Sequence, residues 1–222
     1  MTGGPTVSIV IPAYNEERTI RACVVAAIEQ TVRADEIIVV NNKSTDSTAK
    51  MLKALKTEFP DAPLVIVDQN DEQGITPTRN AGFNAATSEV IGRIDADSIL
   101  EPEWVAVVKR IFSDPTVGAA TGPMIYYDMP LRRFGARADD NMRRALLKLT
   151  KEYHFVFGSN MAMRASAWHD IRDYVCNDAD KEMHEDLDLG IHLFDRGHKI
   201  VYGSKMVSGM SARRLDANPK DY

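Results

Sequence analysis

Glu36-Ile37-Ile38-Val39-Val40-Asn41-Asn42-Lys43-Ser44-Thr45-Asp46 decides the fold. Its first half is apolar on both faces of an extended chain, the pattern of a strand buried on both sides in a parallel sheet. Its second half turns polar at once, and Ser47 to Phe59 then reads as a helix. The same order of strand, polar loop and helix recurs on either side. Val7-Ser8-Ile9-Val10-Ile11, stopped by Pro12, reads as the first strand. A helical stretch from Tyr14 to Gln30 follows, with Asn15 as its N-cap and Glu16 and Glu17 at its positive end. Leu64 to Val67 is a third strand, Thr76 to Ala86 a helix, and Val90 to Ile94 a fourth strand. This alternation predicts an open α/β sheet, in which ligands bind beyond the carboxyl ends of the strands. The polar residues after the strands, Tyr14, Asn42 and Asp97, are therefore expected to line one crevice.

The fourth strand carries the clearest chemistry. Ile91-Gly92-Arg93-Ile94-Asp95-Ala96-Asp97-Ser98 is an apolar run interrupted by one arginine and ended by two acids one residue apart. Strand alternation would set Asp95 and Asp97 on one side of an extended backbone. Two such carboxylates suit either a solvated acidic turn or a hard divalent cation, Mg²⁺ or Mn²⁺, bridging them to substrate phosphates.

Beyond residue 98 the pattern is less regular. Glu101 to Ser113 reads as an amphipathic helix burying Trp104, Val107, Val108 and Ile111. Leu131 to Thr150 mixes Arg132, Arg133, Arg137, Arg143, Arg144 and Lys148 with Leu131, Phe134, Met142, Leu146, Leu147 and Leu149. That mixture fits a helix lying over the core, or one resting on an anionic membrane surface. Phe155 to Asn160 is extended, Asp186 to Arg196 is a helix with Gly197 as its C-cap, and Lys199 to Tyr202 is a last strand. One domain is expected, with a nucleotide-binding half at about 5–98 and an acceptor-side half at about 99–222.

The 222 residues are 44% hydrophobic and 27% charged, an ordinary globular composition. A net charge of −5 argues against a general nucleic-acid binder. Cys23 and Cys176 stand far apart with no CxxC pattern, which suits thiols in a reducing compartment. With no long apolar run and no signal-peptide pattern, the expected location is cytoplasmic, or peripheral at the inner membrane face.

Taken in order, these segments resemble family 2 glycosyltransferases of the GT-A fold. Ser8-Ile9-Val10-Ile11-Pro12-Ala13-Tyr14-Asn15-Glu16-Glu17 is similar to that family's opening strand and loop, and Val39 to Asp46 to its second nucleotide-contacting loop. Arg79-Asn80-Ala81-Gly82 with Asp95-Ala96-Asp97 resembles the central block. Gly158-Ser159-Asn160 with Arg164 resembles the acceptor-side loop, and Glu185-Asp186 with Asp188-Leu189 the acidic catalytic motif.

The resemblance implies a GT-A, Rossmann-like, open and mostly parallel sheet flanked by helices, with a smaller acceptor-side region. It implies transfer of one sugar, with inversion, from a nucleotide-sugar donor to a saccharide or lipid-linked acceptor, assisted by Mn²⁺ or Mg²⁺. Asp97 would be the more direct metal ligand, with Asp95 touching the ribose or the metal through water. Pro12, Ala13, Tyr14, Glu16, Asn42, Arg79, Asp95 and Ala96 would hold the nucleotide, and Gly158, Ser159 and Asn160 the sugars. Asp186 fits the general base. Glu185 is placed with it at the catalytic centre, and Asp188 competes for the base role or orders the helix. Arg213 and Arg214 would clamp the diphosphate, or form a solvated basic tail. Trp168 would stack on a sugar or pack in the core.

The chain departs from the family pattern where Asn41 and Asn42 replace aspartates. An amide offers donors as well as an acceptor, so a UDP-sugar stays the first expectation while GDP- and dTDP-sugars remain open. The processive Gln-x-x-Arg-Trp motif is absent, which favours single-sugar addition. Two other readings compete: a nucleotide-sugar-binding subunit that has lost activity, and a sugar nucleotidyltransferase. The second needs a glycine-rich, basic first loop that Ile11-Pro12-Ala13-Tyr14-Asn15-Glu16 does not supply.

Overall fold

β1 (Val7–Ala13), α1 (Ile20–Ile28), β2 (Glu36–Asn41), α2 (Thr48–Glu58), β3 (Leu64–Asp68), α3 (Ile75–Ala85) and β4 (Val90–Ile94) repeat one unit, strand then helix, down to the fourth strand. The computed structural model describes residues 4–127, 141, 145, 155–176 and 184–210. After β4 come β5 (Ile99–Leu100), α4 (Trp104–Ile111), β6 (Val117–Thr121) and β7 (Met124–Tyr126). Then follow β8 (Asn160–Arg164), α5 (Ala165–Ile171), α6 (Glu185–Asp195), β9 (Lys199–Tyr202) and β10 (Ser208–Met210).

Seven strands form the main sheet in the order β3-β2-β1-β4-β8-β6-β9. Every pairing within β3-β2-β1-β4 is parallel, as is β6 with β9, and β8 alone runs against its neighbours β4 and β6. This is the expected mostly parallel sheet flanked by helices. A small sheet, β5-β10-β7, sits beside it.

The period of two along each strand sorts the core into two layers. Ile9, Ile11, Ile37 and Val39 pack with Ile20 and Val24 of α1, Leu52 of α2 and Trp104 of α4. Val10, Ile38, Val40 and Ile91 face the other way, onto Phe83 of α3, Trp168 of α5 and Leu189 of α6. All seven residues of β1 are buried, because helices cover both faces of the sheet. Trp168 is thus a core residue, its ring edge-on to Phe83 at 5.2 Å.

Two local expectations shift for physical reasons. β1 runs through Pro12 to Ala13, beyond the expected stop at Ile11. Pairing with β4 ends at Val10 while pairing with β2 continues, so Pro12 lies at the sheet margin, where a missing N–H is tolerated. The first helix begins at Ile20, not Tyr14. Asn15 has φ 53° and its Oδ1 accepts the Thr45 N–H at 2.8 Å. The Glu16 and Glu17 amides donate to Thr48 Oγ1 and Asp46 Oδ2. These side-chain bonds compete with helical ones and tie the loop after β1 to the loop after β2.

Candidate active site

The carboxyl ends of β1, β2 and β4 open into a crevice of about 1020 Å³. Pro12, Ala13, Tyr14 and Glu16 line it after β1, and Asn42 after β2. Gln73, Gly74, Ile75 and Thr78 enter from the start of α3, and Arg93, Asp95 and Ala96 from the end of β4. The far wall is Gly158 and Ser159 before β8, His184, Glu185 and Asp186 at the start of α6, and Met210 of β10.

Eleven residues singled out in the sequence thus meet in one space: Pro12, Ala13, Tyr14, Glu16, Asn42, Asp95, Ala96, Gly158, Ser159, Glu185 and Asp186. Arg79, Asp97 and Asn160 are not on its lining. Arg213, Arg214 and the basic residues between 131 and 150 lie outside the described residues.

β4 ends at Ile94, and a turn closed by Ser98 N–H donating to Asp95 O (3.0 Å) carries the two acids. The alternation of an extended strand therefore does not apply to them. Asp95 faces the crevice; Asp97 sits behind it at 4% exposure, its backbone carbonyl accepting from Tyr127 Oη at 3.1 Å. Cys23 Sγ lies 3.5 Å from Asp95 O, beneath this turn. Burial, followed by the Asp97, Asp95 and Glu16 carboxylates, pushes the Cys23 thiol up, so it stays protonated.

Arg79 is completely buried. Its Nη1 reaches Glu185 Oε2 at 2.5 Å and Glu185 O at 3.1 Å, and its Nε donates to Asn80 Oδ1. α3 places it off the crevice lining, paired with Glu185, where a nucleotide contact is expected from the sequence. Asn160 is also fully buried: Oδ1 accepts from Trp104 Nε1 at 2.8 Å, and Nδ2 donates to the Pro123 and Met206 carbonyls. The amide's two donors and its oxygen join separate elements, and the side chain does not reach the crevice.

Glu185 holds a guanidinium on each oxygen, Arg79 on Oε2 and Arg93 on Oε1. Burial favours its protonated form, but Arg93 and Arg79 outweigh burial and keep the carboxyl below the usual glutamate range. Both oxygens of this carboxylate are engaged by arginines, so it ties β4 and α3 to the start of α6. Asp188 is turned inward, accepting the Cys176 N–H at 2.9 Å and lying 3.4 Å from His192 Nε2. Asp186 stays on the crevice wall. Its Oδ2 accepts the Gly158 N–H at 3.3 Å and its Oδ1 the Leu187 N–H at 3.0 Å.

Asn42 lines the crevice but is occupied: Nδ2 donates to Gln69 O (2.9 Å) and Glu72 O (2.8 Å), and Oδ1 accepts from Gly74 N–H (2.9 Å). It clips down the loop that leads into α3. Asn42→Asp is therefore expected to set a carboxylate oxygen against two carbonyls and destabilise the fold by about 1–3 kcal/mol. It is expected to bring no gain in uridine-nucleotide affinity. Thermal melting and calorimetric titration read the two effects.

The residues that sequence reading missed on the lining are Gln73, Gly74, Ile75, Thr78, Arg93, His184 and Met210. Arg93 had a signal, a lone charge inside an apolar strand. His184 directly precedes the acidic motif.

The glycosyl transferase family 2 model matches residues 8–172. Over 226 aligned residues the chain is 29% identical to a chondroitin synthase of Pasteurella multocida (strain Pm70), covering 98% of this chain and 22% of the relative. The chain thus spans about a fifth of that curated relative's length. Among solved structures, the mannosyltransferase PcManGT from Pyrobaculum calidifontis, in complex with GDP-Man and Mn²⁺, superposes with a TM-score of 0.73 at 23% identity. That match covers 95% of this chain and 58% of the other. S. aureus TarS 1-349 in complex with UDP-GlcNAc superposes with a TM-score of 0.70 at 16% identity, over 93% and 58% of the two chains. These structural likenesses establish the shared fold. Among the described residues no helix is long and apolar enough to cross a membrane.

Proposed function

The chain belongs to glycosyl transferase family 2, and from that premise we propose that it moves one sugar from a nucleoside-diphosphate-sugar to an acceptor hydroxyl, with inversion at the anomeric carbon. The observation that carries this reading is that Asp95 and Asp186 line one crevice, Asp95 from the strand ends and Asp186 from the first turn of α6. In a direct displacement the acceptor oxygen bonds to the anomeric carbon while the bond from that carbon to the diphosphate breaks. The hydroxyl proton passes to Asp186, and the diphosphate leaves with the electron pair. An alcohol is a poor nucleophile until a base takes its proton, and Asp186 is the carboxylate on that wall that no arginine clamps among the described residues.

The acids of the β4 turn suit a divalent cation. Asp95 lines the crevice while Asp97, expected as the more direct ligand, lies behind it, and hard oxygen donors are the set that Mg²⁺ and Mn²⁺ take. Among the described residues no group of three or more His, Cys, Asp or Glu is placed to hold a metal ion. A cation there would take its remaining oxygens from substrate phosphates and water. Held from the crevice by Asp95, with Asp97 behind it, a cation would neutralise charge on the departing diphosphate. The protein's own part is to seat the base and ribose in the cleft at Pro12–Tyr14, with Glu16, Asn42 and Ala96 alongside, and to hold Asp186 by the Gly158 amide. With Asn42 occupied by the 69–74 loop, the choice among uridine, guanosine and thymidine falls to other groups of the cleft. The acceptor is proposed as a saccharide or lipid-linked hydroxyl meeting Gly158 and Ser159.

A melting screen of UDP, GDP and dTDP, with Mn²⁺ and with chelator, tests this reading. At about 100 times its Kd a ligand adds about 2.7 kcal/mol, or roughly 5–10 °C in a chain of this size. One nucleotide is expected to give that rise with Mn²⁺ and much less with chelator. A flat response to all three would overturn the proposal.

A further inference from the structure

Arg93 is the residue the preceding reading leaves unused. It stands at the end of β4 with 3% exposure, where the strand is otherwise apolar. A buried ion pair is seldom kept for stability, since well-packed apolar residues often do as well or better. The cluster is also incompletely satisfied: Arg93 Nε and Arg79 Nη2 find no hydrogen-bond partner among the described residues.

Its contacts run in two directions. Nη2 lies 3.4 Å from Asp95 Oδ1, on the diphosphate side of the crevice. Nη1 pairs with Glu185 Oε1, the residue covalently next to Asp186. The flat of the guanidinium also lies against Gly158: a Cβ built there would stand 2.7 Å from Arg93 Cζ. The Gly158 N–H in turn donates to Asp186 Oδ2. Two routes therefore connect Arg93 to Asp186, one through Glu185 and one through Gly158.

We propose that Arg93 is a positioning residue that fixes the span between the Asp95 turn and the base Asp186, so that donor and acceptor meet at reacting distance. This deepens the glycosyl-transfer reading and rests on it. The job needs a planar fork: a lysine ammonium is a point charge and cannot hold both carboxylates while presenting a flat face to Gly158. Misplacement by about 1 Å lowers such a reaction by about 10²-fold.

The test compares wild type, Arg93→Lys, Arg93→Ala and Gly158→Ala in the full chain, using whichever nucleotide and donor the melting screen selects. Arg93→Lys is expected to bind nucleotide within about threefold of wild type and to lose about 100-fold in kcat. In Arg93→Ala, added guanidinium is expected to restore at least about tenfold and methylammonium nothing, because only guanidinium refills the fork. Should Arg93→Ala fail to fold, Gly158→Ala keeps the charge but displaces it; the same fall in kcat is expected, without rescue by guanidinium.

Turnover within threefold of wild type in Arg93→Lys or Gly158→Ala overturns the proposal. So does a loss that falls on nucleotide affinity instead of kcat. A wild type that neither transfers nor hydrolyses the donor defeats the parent reading alone. The brace is then judged from unfolding midpoints of Arg93→Lys, Asp186→Asn and the double variant: non-additivity supports the coupling and additivity overturns it.

Discussion

Asp186→Asn is expected to lower kcat by about 10²–10⁴-fold, the range assigned to general-base catalysis, while leaving nucleotide affinity within about threefold. The two readouts separate because Asp186 faces the crevice from α6, opposite the β1 and β2 loops that would hold the nucleotide. Asparagine keeps the side-chain shape but has one acceptor oxygen where the native carboxylate has two. It can keep only one of the amide contacts from Gly158 and Leu187. A lost hydrogen bond of this kind is worth about 1 kcal/mol, too little to unfold the chain. A large fall in turnover in a folded, nucleotide-binding variant therefore reports the missing proton acceptor. Slow hydrolysis of the donor should fall with it. Turnover within tenfold of wild type would transfer the base role elsewhere and leave the catalytic scheme without its acceptor-side group.

Glu185→Ala is expected to be the most damaging change to stability. Glu185 is 11% exposed and meets two guanidiniums, of which that of Arg79 has no exposure at all. Deleting the carboxylate leaves both cations buried without their shared anion, a loss of about 3–5 kcal/mol, or roughly 6–20 °C in melting temperature at this chain length. The pH dependence follows from the position of the Glu185 carboxyl, held below the ordinary glutamate value of 4.5. A group whose folded pKa lies below its unfolded one stabilises above the unfolded value and loses that contribution as pH falls through the folded one. The deficit of Glu185→Ala should thus be full at neutral pH and shrink as pH drops below 4.5, where the wild type gives up the same ion pairs. Urea titrations at several pH values measure this. A deficit that stays constant into acid would mean that the ion pairs contribute nothing to stability.

The sequence shows some parts of this molecule and hides others, for reasons of distance along the chain. Both-faced apolarity in β1 and β2 and the polar breaks after them announce a parallel sheet and the edge where ligands would enter. The positions of Tyr14 and Asn42 on the crevice follow from that topology alone, while Asp97, expected with them, is turned away by the local bend after β4. What Asn42 does there depends on carbonyls at 69 and 72, whose approach only the folded loop sets. Arg79 reads as a nucleotide contact because its partner is 106 residues away. Arg93 is 92 residues from the same carboxylate. Asn160 carries no local mark of burial, since its three partners come from α4, the residue before β7 and the stretch before β10. β6 and β8 escaped notice because Gly118, Ala119, Ala120 and Ala162 give no apolar rhythm to follow.

The reversed strand β8 sits between β4 and β6, so a segment from late in the chain is hydrogen-bonded directly to the strand that delivers Asp95. The early and late parts of the chain therefore share one hydrogen-bonded ladder. A chain interrupted between β4 and β8 would leave the β4 edge without its antiparallel partner, an open row of backbone donors and acceptors.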